Sequence, residues 1–477
     1  MARSSQKIRP SLQSSAKPGQ FAVAILAAGK GTRLKSKHPK VLHQIGGRPL
    51  LEHVIGTCVH LARPADIYIV IGHEAEQVRR AVEHTSVNFV LQPEQRGTGD
   101  ALMRAEKQLS AYEHVLVAYG DSPLIRPTTL ERLRSFHVEQ KADLSILTAE
   151  PADPTGYGRI IRRKRGSAEV AAIIEQKALK PNQLGIREIN SGIYCFRIAP
   201  LLKHIHQLTT NNPAREYYLT DMAGILSKAG YKVVALEAED ATEVLGVNSR
   251  AELGQLDAAL RMQKCSELMA AGVTIFRPET CTIDSDVQVG ADTVIQPCVQ
   301  LLRGTTIGSD CVIGSFCVIN NSQVADGVEI RPGCIITDSR VASGAVLGPY
   351  SHLRPGSDIG EGAHIGNFVE TKKARLGKGA KANHLTYLGD AEIGVGVNVG
   401  AGTITCNYDG LHKHPTIIED GAFIGSDSTL VAPVRVGARA YVGAASCITE
   451  DVPPDALAIG RGRQVNKPEW AKKRPRK

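Results

Sequence analysis

Long apolar runs are absent from this chain of 477 residues. No stretch approaches the roughly 20 consecutive apolar residues that a membrane-spanning helix requires. The first 20 residues are basic and rich in serine, and they lack the apolar core of a secretory signal. We therefore expect no membrane insertion, and we interpret residues 1–20 as a disordered basic extension.

Aromatic residues are scarce, and no two cysteines are spaced as a pair. Aromatic residues account for 4% of the chain, and its ten cysteines form no CxxC motif. This pattern argues against a zinc site or a disulfide framework and favours reduced thiols in the cytoplasm. The formal charge of +9 fits either nucleic acid or an anionic small substrate. We expect no nucleic-acid partner because no nucleic-acid motif is present, and part of the charge lies in a basic tail, 463–477.

The type of periodicity changes near residue 249. Between residues 21 and 248, strand-like segments such as FAVAIL, DIYIVIG and HVLVAYGD alternate with helix-like segments such as EAEQVRRAVEH. This alternation predicts a Rossmann-like α/β fold with a mostly parallel sheet, whose ligands bind at the carboxyl ends of the strands. Residues 249–270 have helical spacing, and we interpret them as a helical linker.

A hexapeptide period marks the second half, between residues 271 and 462. Apolar residues occupy every sixth position at Ile418, Ile424, Leu430, Val436, Val442 and Ile448. This period predicts an all-β parallel β-helix, in which each short strand is followed by a corner. The period breaks near residues 367–386 and 403–416, where we expect projecting loops that carry function.

A glycine-rich basic segment, LAAGKGTRLKSKHPK, directly follows the first predicted strand. It has neither the Walker spacing nor a complete GxGxxG motif, because Leu34 replaces the third glycine. Its backbone N–H groups could cradle phosphate oxygens, with Arg33 and Lys40 as cations; the alternative is a solvated basic loop. Asp121 ends a later predicted strand and suits Mg²⁺ bound with substrate phosphates; the alternative is an aspartate that caps the next helix.

Longer motifs extend these observations over most of the chain. LAAGKGTR, LQPEQRGTGDA, YGDSPLI, GYGRI, NSGIY and EYYLTD occur in this order. With them the chain resembles the sugar-1-phosphate nucleotidyltransferases, and most of all the bifunctional bacterial enzymes that make UDP-N-acetylglucosamine. GNFVETKKARLGKGAKANHLTYLGD, VNVGAGTITCNYDG and GSDSTLVAPV continue the resemblance, which covers nearly everything from Phe21 to Arg463.

The resemblance implies a uridyltransferase domain at 21–248 and a left-handed β-helix acetyltransferase domain at 271–462, assembled as a homotrimer. The implied function is acetylation of glucosamine 1-phosphate by acetyl-CoA, followed by transfer of UMP from UTP with release of pyrophosphate. Mg²⁺ would be the metal cofactor. Two alternatives stay open: a nucleotidyltransferase whose β-helix only regulates or assembles, and a non-catalytic interaction protein of the same architecture.

The resemblance also assigns residues to the first site. Arg33 and Lys40 would be catalytic and polarise the phosphates, while Asp121 and Asn248 would ligate Mg²⁺. The nucleotide would contact Leu26, Ala27, Ala28, Gly29, Lys40, Tyr119, Gly120, Asp121 and Asn248, the uracil Gln92, Gly97 and Thr98, and the sugar Gly158, Glu175 and Asn190. Asp100 stands where these enzymes usually have histidine, next to the expected uracil contacts.

A second set of residues suits acyl transfer. Transfer from a thioester to a sugar amine needs a base near neutral pH, and histidine has a suitable pKa. A lone histidine more often has a surface or core role, but by resemblance His384, within ANHLTYLGD, deprotonates the amine. The resemblance places glucosamine 1-phosphate against Arg354, Lys372, Tyr387, Asn398 and Lys413. It places acetyl-CoA against Ala401, Asn407, Tyr408, Ser426, Ala444 and Arg461.

Overall fold

The computed structural model describes residues 20–164 and 166–473. The extension predicted over residues 1–20 therefore lies, up to residue 19, outside the described residues, as do the last four residues of the predicted basic tail. The chain forms two compact units that meet in sequence between Ala258 and Ala259. The finer domain bounds given above stay predictions.

The first unit contains eleven strands. In chain order they are β1 (Phe21–Leu26), β2 (Gln44–Ile45), β3 (Arg48–Pro49), β4 (Ile67–Ile71), β5 (Asn88–Leu91), β6 (His114–Tyr119), β7 (Leu144–Ala149), β8 (Arg159–Arg162), β9 (Val170–Ile174), β10 (Ile189–Arg197) and β11 (Val233–Glu237). Nine of them form one sheet in the order β11-β7-β10-β6-β1-β4-β5, with β8 and β9 added beside β10. Strand β1 is parallel to β4 and β6, whereas β10 is antiparallel to β6 and β7. The predicted α/β fold with a mostly parallel sheet is confirmed.

Helices connect most of these strands. The α-helices are α1 (Leu50–Cys58), α2 (Ala75–Val82), α3 (Thr98–Arg104), α4 (Glu106–Leu109), α5 (Pro127–Glu139), α6 (Ile198–His204), α7 (Asp221–Lys228) and α8 (Arg250–Ala270). Short 3₁₀ turns occupy Thr32–Leu34, Lys40–Leu42, Pro64–Asp66, Glu83–Thr85, Gln176–Ala178, Pro181–Gln183, Ile205–Gln207, Ala241–Val244, Pro278–Thr280 and Trp470–Lys473. No helix of the described residues is long and apolar enough to cross a membrane.

Strand β1 shows why this unit folds around its sheet. All six residues of FAVAIL are buried. Because successive side chains of a strand point to opposite faces, Val23 and Ile25 join one hydrophobic core while Ala22, Ala24 and Leu26 join the other. A continuous apolar run is what a strand covered on both faces requires.

The second unit consists of three parallel sheets. Sheet one has eleven strands: Thr274–Ile275, Val294–Ile295, Val312–Ile313, Glu329–Ile330, Val346–Leu347, His364–Asn367, Lys381–His384, Asn398–Val399, Phe423–Ile424, Tyr441–Val442 and Leu457–Ala458. Sheet two has ten: Thr282–Ile283, Gln300–Leu302, Val318–Asn320, Ile335–Thr337, His352–Leu353, Glu370–Lys372, Tyr387–Gly389, Ile404–Cys406, Thr429–Val431 and Cys447–Ile448. Sheet three has nine: Gln288–Val289, Thr306–Ile307, Gln323–Val324, Arg340–Val341, Asp358–Ile359, Arg375–Leu376, Ala391–Ile393, Thr416–Ile418 and Val434–Val436.

The chain visits the three sheets in turn, so each coil contributes one strand to each sheet until the end of the β-helix, where the last coils are incomplete. The six apolar residues of the hexapeptide period, from Ile418 to Ile448, are all buried inside the coils. The predicted parallel β-helix is confirmed, and the parallel stacking is consistent with the left-handed winding that the resemblance implies.

The prediction of a projecting loop is wrong at one of its two positions. Between residues 403 and 416 the register does widen, because Ala391 pairs with Thr416 across an inserted loop. Residues 367–386, by contrast, form ordinary coils with no projecting loop. The hexapeptide pattern fades there because Thr371 and Ala382 occupy fully buried inward positions in place of larger aliphatic residues.

A buried histidine pair in the first unit makes its stability depend on pH. His114 Nδ1 lies 3.1 Å from His137 Nε2, and His137 Nδ1 lies 2.9 Å from Ser145 Oγ. Burial, followed by the charges of His114 and Arg197, lowers the pKa of His137 to about 3. The unfolded chain takes up a proton at His137 near pH 6.5, whereas the folded chain takes it up only near pH 3. The free energy of unfolding is therefore highest above about pH 6.5 and decreases as the pH falls from there toward 3.

We predict that His137 alone costs roughly 2 kcal/mol of stability between pH 7.5 and pH 5. Urea denaturation of the full chain, followed by circular dichroism, would measure it at both pH values. The His137→Gln variant is expected to lose correspondingly less stability over the same interval. An equal loss in both proteins would contradict a neutral, buried His137.

Candidate active sites

A cavity of about 630 Å³ opens at the carboxyl ends of β1, β5 and β6. Its lining contains eleven of the residues predicted for the nucleotide site: Leu26, Ala27, Ala28, Gly29, Lys40, Gln92, Gly97, Thr98, Tyr119, Asp121 and Asn248. Strand pairing brings them together, because Leu26 at the end of β1 is the register partner of Tyr119 at the end of β6. Gly120 does not line the cavity; it packs beneath it, where a Cβ would lie 3.1 Å from Leu51 and 3.3 Å from Ala27.

The glycine-rich segment packs closely against Lys40. Gly31 has a φ of +62°, a left-handed conformation that disfavours other residues. A Cβ on Gly31 would lie 2.5 Å from Lys40 Cβ, so the missing side chain lets Lys40 approach the loop. The segment is therefore a structured turn against Lys40 and not a freely solvated basic loop.

Two cations and two oxygen ligands meet at the mouth of this cavity. Lys40 Nζ forms an ion pair with the Asp121 carboxylate and donates a 3.0 Å hydrogen bond to Asn248 Oδ1. Arg33 Nη2 donates to the same Asn248 oxygen at 2.7 Å. Glu252 holds this segment in place by accepting from the backbone N–H groups of Asn248 and Ser249 at 2.6 and 2.7 Å. The structure thus gathers all four residues predicted for phosphate and metal binding.

The three predicted sugar contacts form a neighbouring cluster. The Asn190 N–H donates to the Gly158 carbonyl at 2.9 Å, and a Cβ on Gly158 would lie 3.5 Å from Glu175 Oε1. Burial raises the pKa of Glu175, and a 3.1 Å hydrogen bond from Thr220 partly offsets that effect. The three residues lie together, although none of them lines the 630 Å³ cavity.

Some cavity residues were not predicted. Lys30, Gly31, Thr32, Val41, Gln95, Ala101 and Glu216 also line it. Glu216 opens the motif EYYLTD, so a sequence signal existed, but its role could not be inferred without the fold. The close approach of that motif also explains Gly97, where a Cβ would lie 2.6 Å from the Tyr217 carbonyl oxygen.

In the second unit, three cations lie near the corner between sheets two and three. Lys372 ends a strand of sheet two, one coil after Arg354, and Lys413 lies in the inserted loop. Contact with Lys413, and then the charges of Lys413 and Arg354, lower the pKa of Lys372. Positive charges held this close together form a favourable place for a phosphate.

His384 lies at the corner between sheets one and two, on the other side of sheet two from these three cations. It ends a strand of sheet one, in register with Asn367, and its side chain is exposed. The corner residue Leu385 separates it from Tyr387, which starts the next strand of sheet two. The hydroxyl end of Tyr387 lies over Gly389, leaving no room for a Cβ there. The folded chain thus brings Tyr387 toward Asn407, while His384 lies at the corner between sheets one and two and Lys372 ends its strand at the corner between sheets two and three.

The predicted acetyl-CoA residues fall into two groups. Asn407 and Tyr408 belong to the inserted loop; Asn407 Nδ2 donates to Asp390 Oδ2 at 2.5 Å, and the Tyr408 hydroxyl donates to the Gly410 carbonyl at 2.6 Å. The other members stack on successive coils at the corner between sheets one and two: Ala401, Ser426, Ala444 and Arg461. Asn398, predicted for the sugar phosphate, begins a strand of sheet one beside Phe423.

Comparisons with known proteins agree with this architecture. The family model of the MobA-like NTP transferase domain matches residues 23–183, and six repeats of the bacterial transferase hexapeptide match residues 286–321. A relative from Koribacter versatilis, named bifunctional protein GlmU, is 62% identical over 95% of this chain and 97% of its own length. Relatives of the same name from Solibacter usitatus and Brevibacillus brevis are 51% and 48% identical, over 96% and 95% of this chain and 98% and 97% of their own.

An α/β sheet with a cationic cavity at its strand ends, followed by a hexapeptide β-helix, defines a nucleotidyltransferase joined to a hexapeptide transferase. Sequence identity over nearly the full length of these relatives identifies the family more specifically than the fold does. The chain belongs to the family of the bifunctional protein GlmU, and it is an enzyme of the transferase class.

Proposed function

We propose that this enzyme makes UDP-N-acetylglucosamine at two sites. The β-helix acetylates glucosamine 1-phosphate with acetyl-CoA, and the first unit then transfers UMP from UTP to the product. The observation that supports uridylyl transfer most strongly is the cluster of Arg33, Lys40, Asp121 and Asn248 at the mouth of the cavity. We place the enzyme in the cytoplasm, because its ten cysteines are all free thiols.

Uridylyl transfer needs positioning and charge neutralisation but no covalent enzyme intermediate. The oxygen of the sugar 1-phosphate attacks the α-phosphorus of UTP in line, and pyrophosphate leaves. Lys40 and Arg33 neutralise the phosphate charge as it develops. Gln92, Gly97 and Thr98 would hold the uracil, while the cluster of Gly158, Glu175 and Asn190 would hold the sugar.

The residues at the cavity mouth fit a magnesium ion. Asp121 Oδ2 and Asn248 Oδ1 both converge on one positively charged atom, Lys40 Nζ, so the two oxygens already face a common point. Hard oxygen ligands are the kind that Mg²⁺ takes from proteins, alongside substrate phosphates. When bound, the ion would neutralise phosphate charge, and Lys40 would be released to contact the phosphates itself.

Acetyl transfer is assigned to the β-helix. His384 would take a proton from the sugar amine, which attacks the thioester carbonyl of acetyl-CoA as the thiol of CoA leaves. Arg354, Lys372 and Lys413 would hold the sugar phosphate, together with Tyr387 and Asn398. Acetyl-CoA would contact Ala401, Asn407, Tyr408, Ser426, Ala444 and Arg461.

A homotrimer would explain both the exposed apolar residues along one corner of the β-helix and the position of His384 beside them. Large apolar side chains with positive φ repeat along the corner between sheets one and two: Phe316, Tyr350, Phe368 and Leu385, each 57–68% exposed. A contiguous exposed apolar surface of this kind is typical of protein contacts. His384 directly precedes one of these residues, so a neighbouring chain covering this corner would bring its own loop residues toward His384.

A single-activity nucleotidyltransferase with a structural β-helix is the alternative. The corner holds Lys372 beside Lys413 and Arg354, and although Arg354 pairs with Glu370 at 2.8 Å, three cations at one corner suit a phosphate. This cation cluster therefore favours two activities.

Asp121→Ala should lower uridylyl transfer by about 10²-fold or more, because it removes one of the two oxygens that would hold the metal. Acetyl transfer by the same protein should stay within about twofold. The two reactions would be assayed separately, by pyrophosphate release and by CoA release. Asp153→Ala, which changes an exposed aspartate of the same unit, is the matched control. An equal loss of both activities in Asp121→Ala would assign Asp121 a folding role.

His384→Ala should lower the rate of acetyl transfer by about 10²–10⁴-fold, as expected for loss of a general base. The acidic limb of the pH–rate profile should disappear with it, while acetyl-CoA binding should hardly change. His352→Ala, which changes another histidine of the coils, should keep both the rate and the limb. Near-normal acetylation by His384→Ala at neutral pH would contradict the assignment.

Subunit mixing tests whether each acetyl-transfer site uses two chains. His384→Ala chains mixed with Tyr408→Ala chains should regain part of the activity that each lacks alone, because some sites would then carry both native residues. Native mass spectrometry of the mixture, with one variant isotopically labelled, would establish that mixed trimers form. Mixed trimers without regained activity would show that each site lies within one chain.

A further inference from the structure

We propose that Asp100, which does not line the cavity, is a positioning residue that makes the nucleotide site specific for uracil by fixing the side-chain amide of Gln92. The inference rests on the uridylyl transfer proposed above. It assigns a role to Asp100, the residue that stands next to the expected uracil contacts in the sequence.

The Gln92 side chain is anchored on two sides. Its backbone N–H donates to the Ile71 carbonyl at 2.8 Å, which fixes the chain directly after β5. Its Nε2 donates to Asp100 Oδ2 at 2.7 Å and to the Gly97 carbonyl at 3.0 Å. The residue is only 2% exposed, and it lines the cavity.

Both neighbours of Gln92 Nε2 can only accept hydrogen bonds. A carboxylate and a backbone carbonyl offer no hydrogen, so the group that faces them must be the NH₂ of the amide. The reversed amide would place its oxygen against two other oxygens and leave buried acceptors without a donor. Both amide hydrogens are therefore used, and Oε1 is the atom left for a ligand. No hydrogen bond from another described residue reaches Oε1.

Asp100 is itself held in place. It lies in the first turn of α3, is 4% exposed, and its Oδ1 accepts from Arg104 Nη2 at 3.1 Å one turn later. Its two oxygens thus have separate donors, Arg104 for Oδ1 and Gln92 for Oδ2. This arrangement keeps the carboxylate aimed at Gln92.

An acceptor presented to the base distinguishes the two pyrimidines. The pairing edge of uracil carries a single N–H donor, at N3, so an amide oxygen that contacts this edge favourably must meet that hydrogen. Cytosine has a lone pair at N3 and carries its donor on the exocyclic N4, so an oxygen placed to accept from uracil N3–H would face that lone pair without a hydrogen between them. A site built to hydrogen-bond a substrate N–H strongly rejects an analogue that lacks it. Asp100 therefore acts on specificity through Gln92.

Two substitutions separate this role from a structural one. Asp100→Leu keeps a similar shape but offers no acceptor, so the Gln92 amide is free to reverse. Asp100→Asn keeps one acceptor oxygen for Gln92 and loses both the charge and the bond from Arg104, whose side chain is 42% exposed and can bond to water instead. We expect the ratio of kcat/KM for UTP to that for CTP to fall about tenfold or more in Asp100→Leu. The fall should come mainly from a higher KM for UTP. In Asp100→Asn the ratio should stay within about threefold of the parent.

Three results would overturn the proposal. One is an equal loss for UTP and CTP in Asp100→Leu, which indicates damaged packing. Another is the same fall of the ratio in Asp100→Asn, which assigns the effect to charge. The third comes from a double-mutant cycle: in a Gln92→Ala background, Asp100→Leu should leave the ratio unchanged, and a further fall there would show that Asp100 does not act through Gln92.

Controls keep the outcomes distinct. Calorimetric titration of UTP and of CTP into each variant measures the binding preference for UTP over CTP without catalysis. Thermal unfolding shows whether the variant is folded. If Asp100→Leu does not fold, Asp100→Ala repeats the test with a smaller side chain that also lacks an acceptor. Failure of the parent enzyme to use UTP would reject the proposed function itself, whereas a UTP-using parent with an unchanged ratio in the variants rejects only the role of Asp100.

Discussion

Parallel pairing of β1 with its two neighbours is the constraint on which the first site depends. Leu26 is in register with Val70 of β4 and with Tyr119 of β6, so the loops that follow these three strands leave the sheet at the same edge. The glycine-rich segment and Asp121 are about 90 residues apart in the chain, and this pairing brings them to one place. Gln92 belongs to the same edge because its N–H bonds to the end of β4.

Regular stacking of coils has the same role in the second unit. Strands of adjacent coils pair in parallel, so residues one coil apart in sequence become neighbours in space, as Arg354 and Lys372 do. The inserted loop adds Lys413 to that corner. The same regularity places His384 and the exposed apolar corner residues in one row, on the other edge of sheet two.

The sequence predicted the two architectures because each has a strong period. Alternating strand and helix segments define the first unit, and residues such as Ile418 and Ile424 define the coils of the second. Predictions failed where the period was weak: Thr371 and Ala382 are inward residues of regular coils, yet they looked like a break. Glu216 and Gln95 were missed because their place at the cavity depends on tertiary contacts that no local pattern encodes.

Asp100 shows the same limit at the level of one residue. In the sequence, Asp100 was only an aspartate in place of the usual histidine, and the neighbouring residues did not indicate its hydrogen-bond partner. The fold places it 2.7 Å from the Gln92 amide and gives it a chemical role. Arg33, Lys40, Asp121 and Asn248 were easier to group, because the resemblance carried by long motifs named all four, and the fold brings them together.

The most direct test of the account is a coupled assay on the purified full chain with glucosamine 1-phosphate, acetyl-CoA, UTP and Mg²⁺. We predict formation of UDP-N-acetylglucosamine, CoA and pyrophosphate, with no UDP-sugar formed when acetyl-CoA is omitted. Supplying N-acetylglucosamine 1-phosphate instead should remove the need for acetyl-CoA. Uridylylation of N-acetylglucosamine 1-phosphate without any acetylation of glucosamine 1-phosphate would contradict the two-site account and favour a structural β-helix.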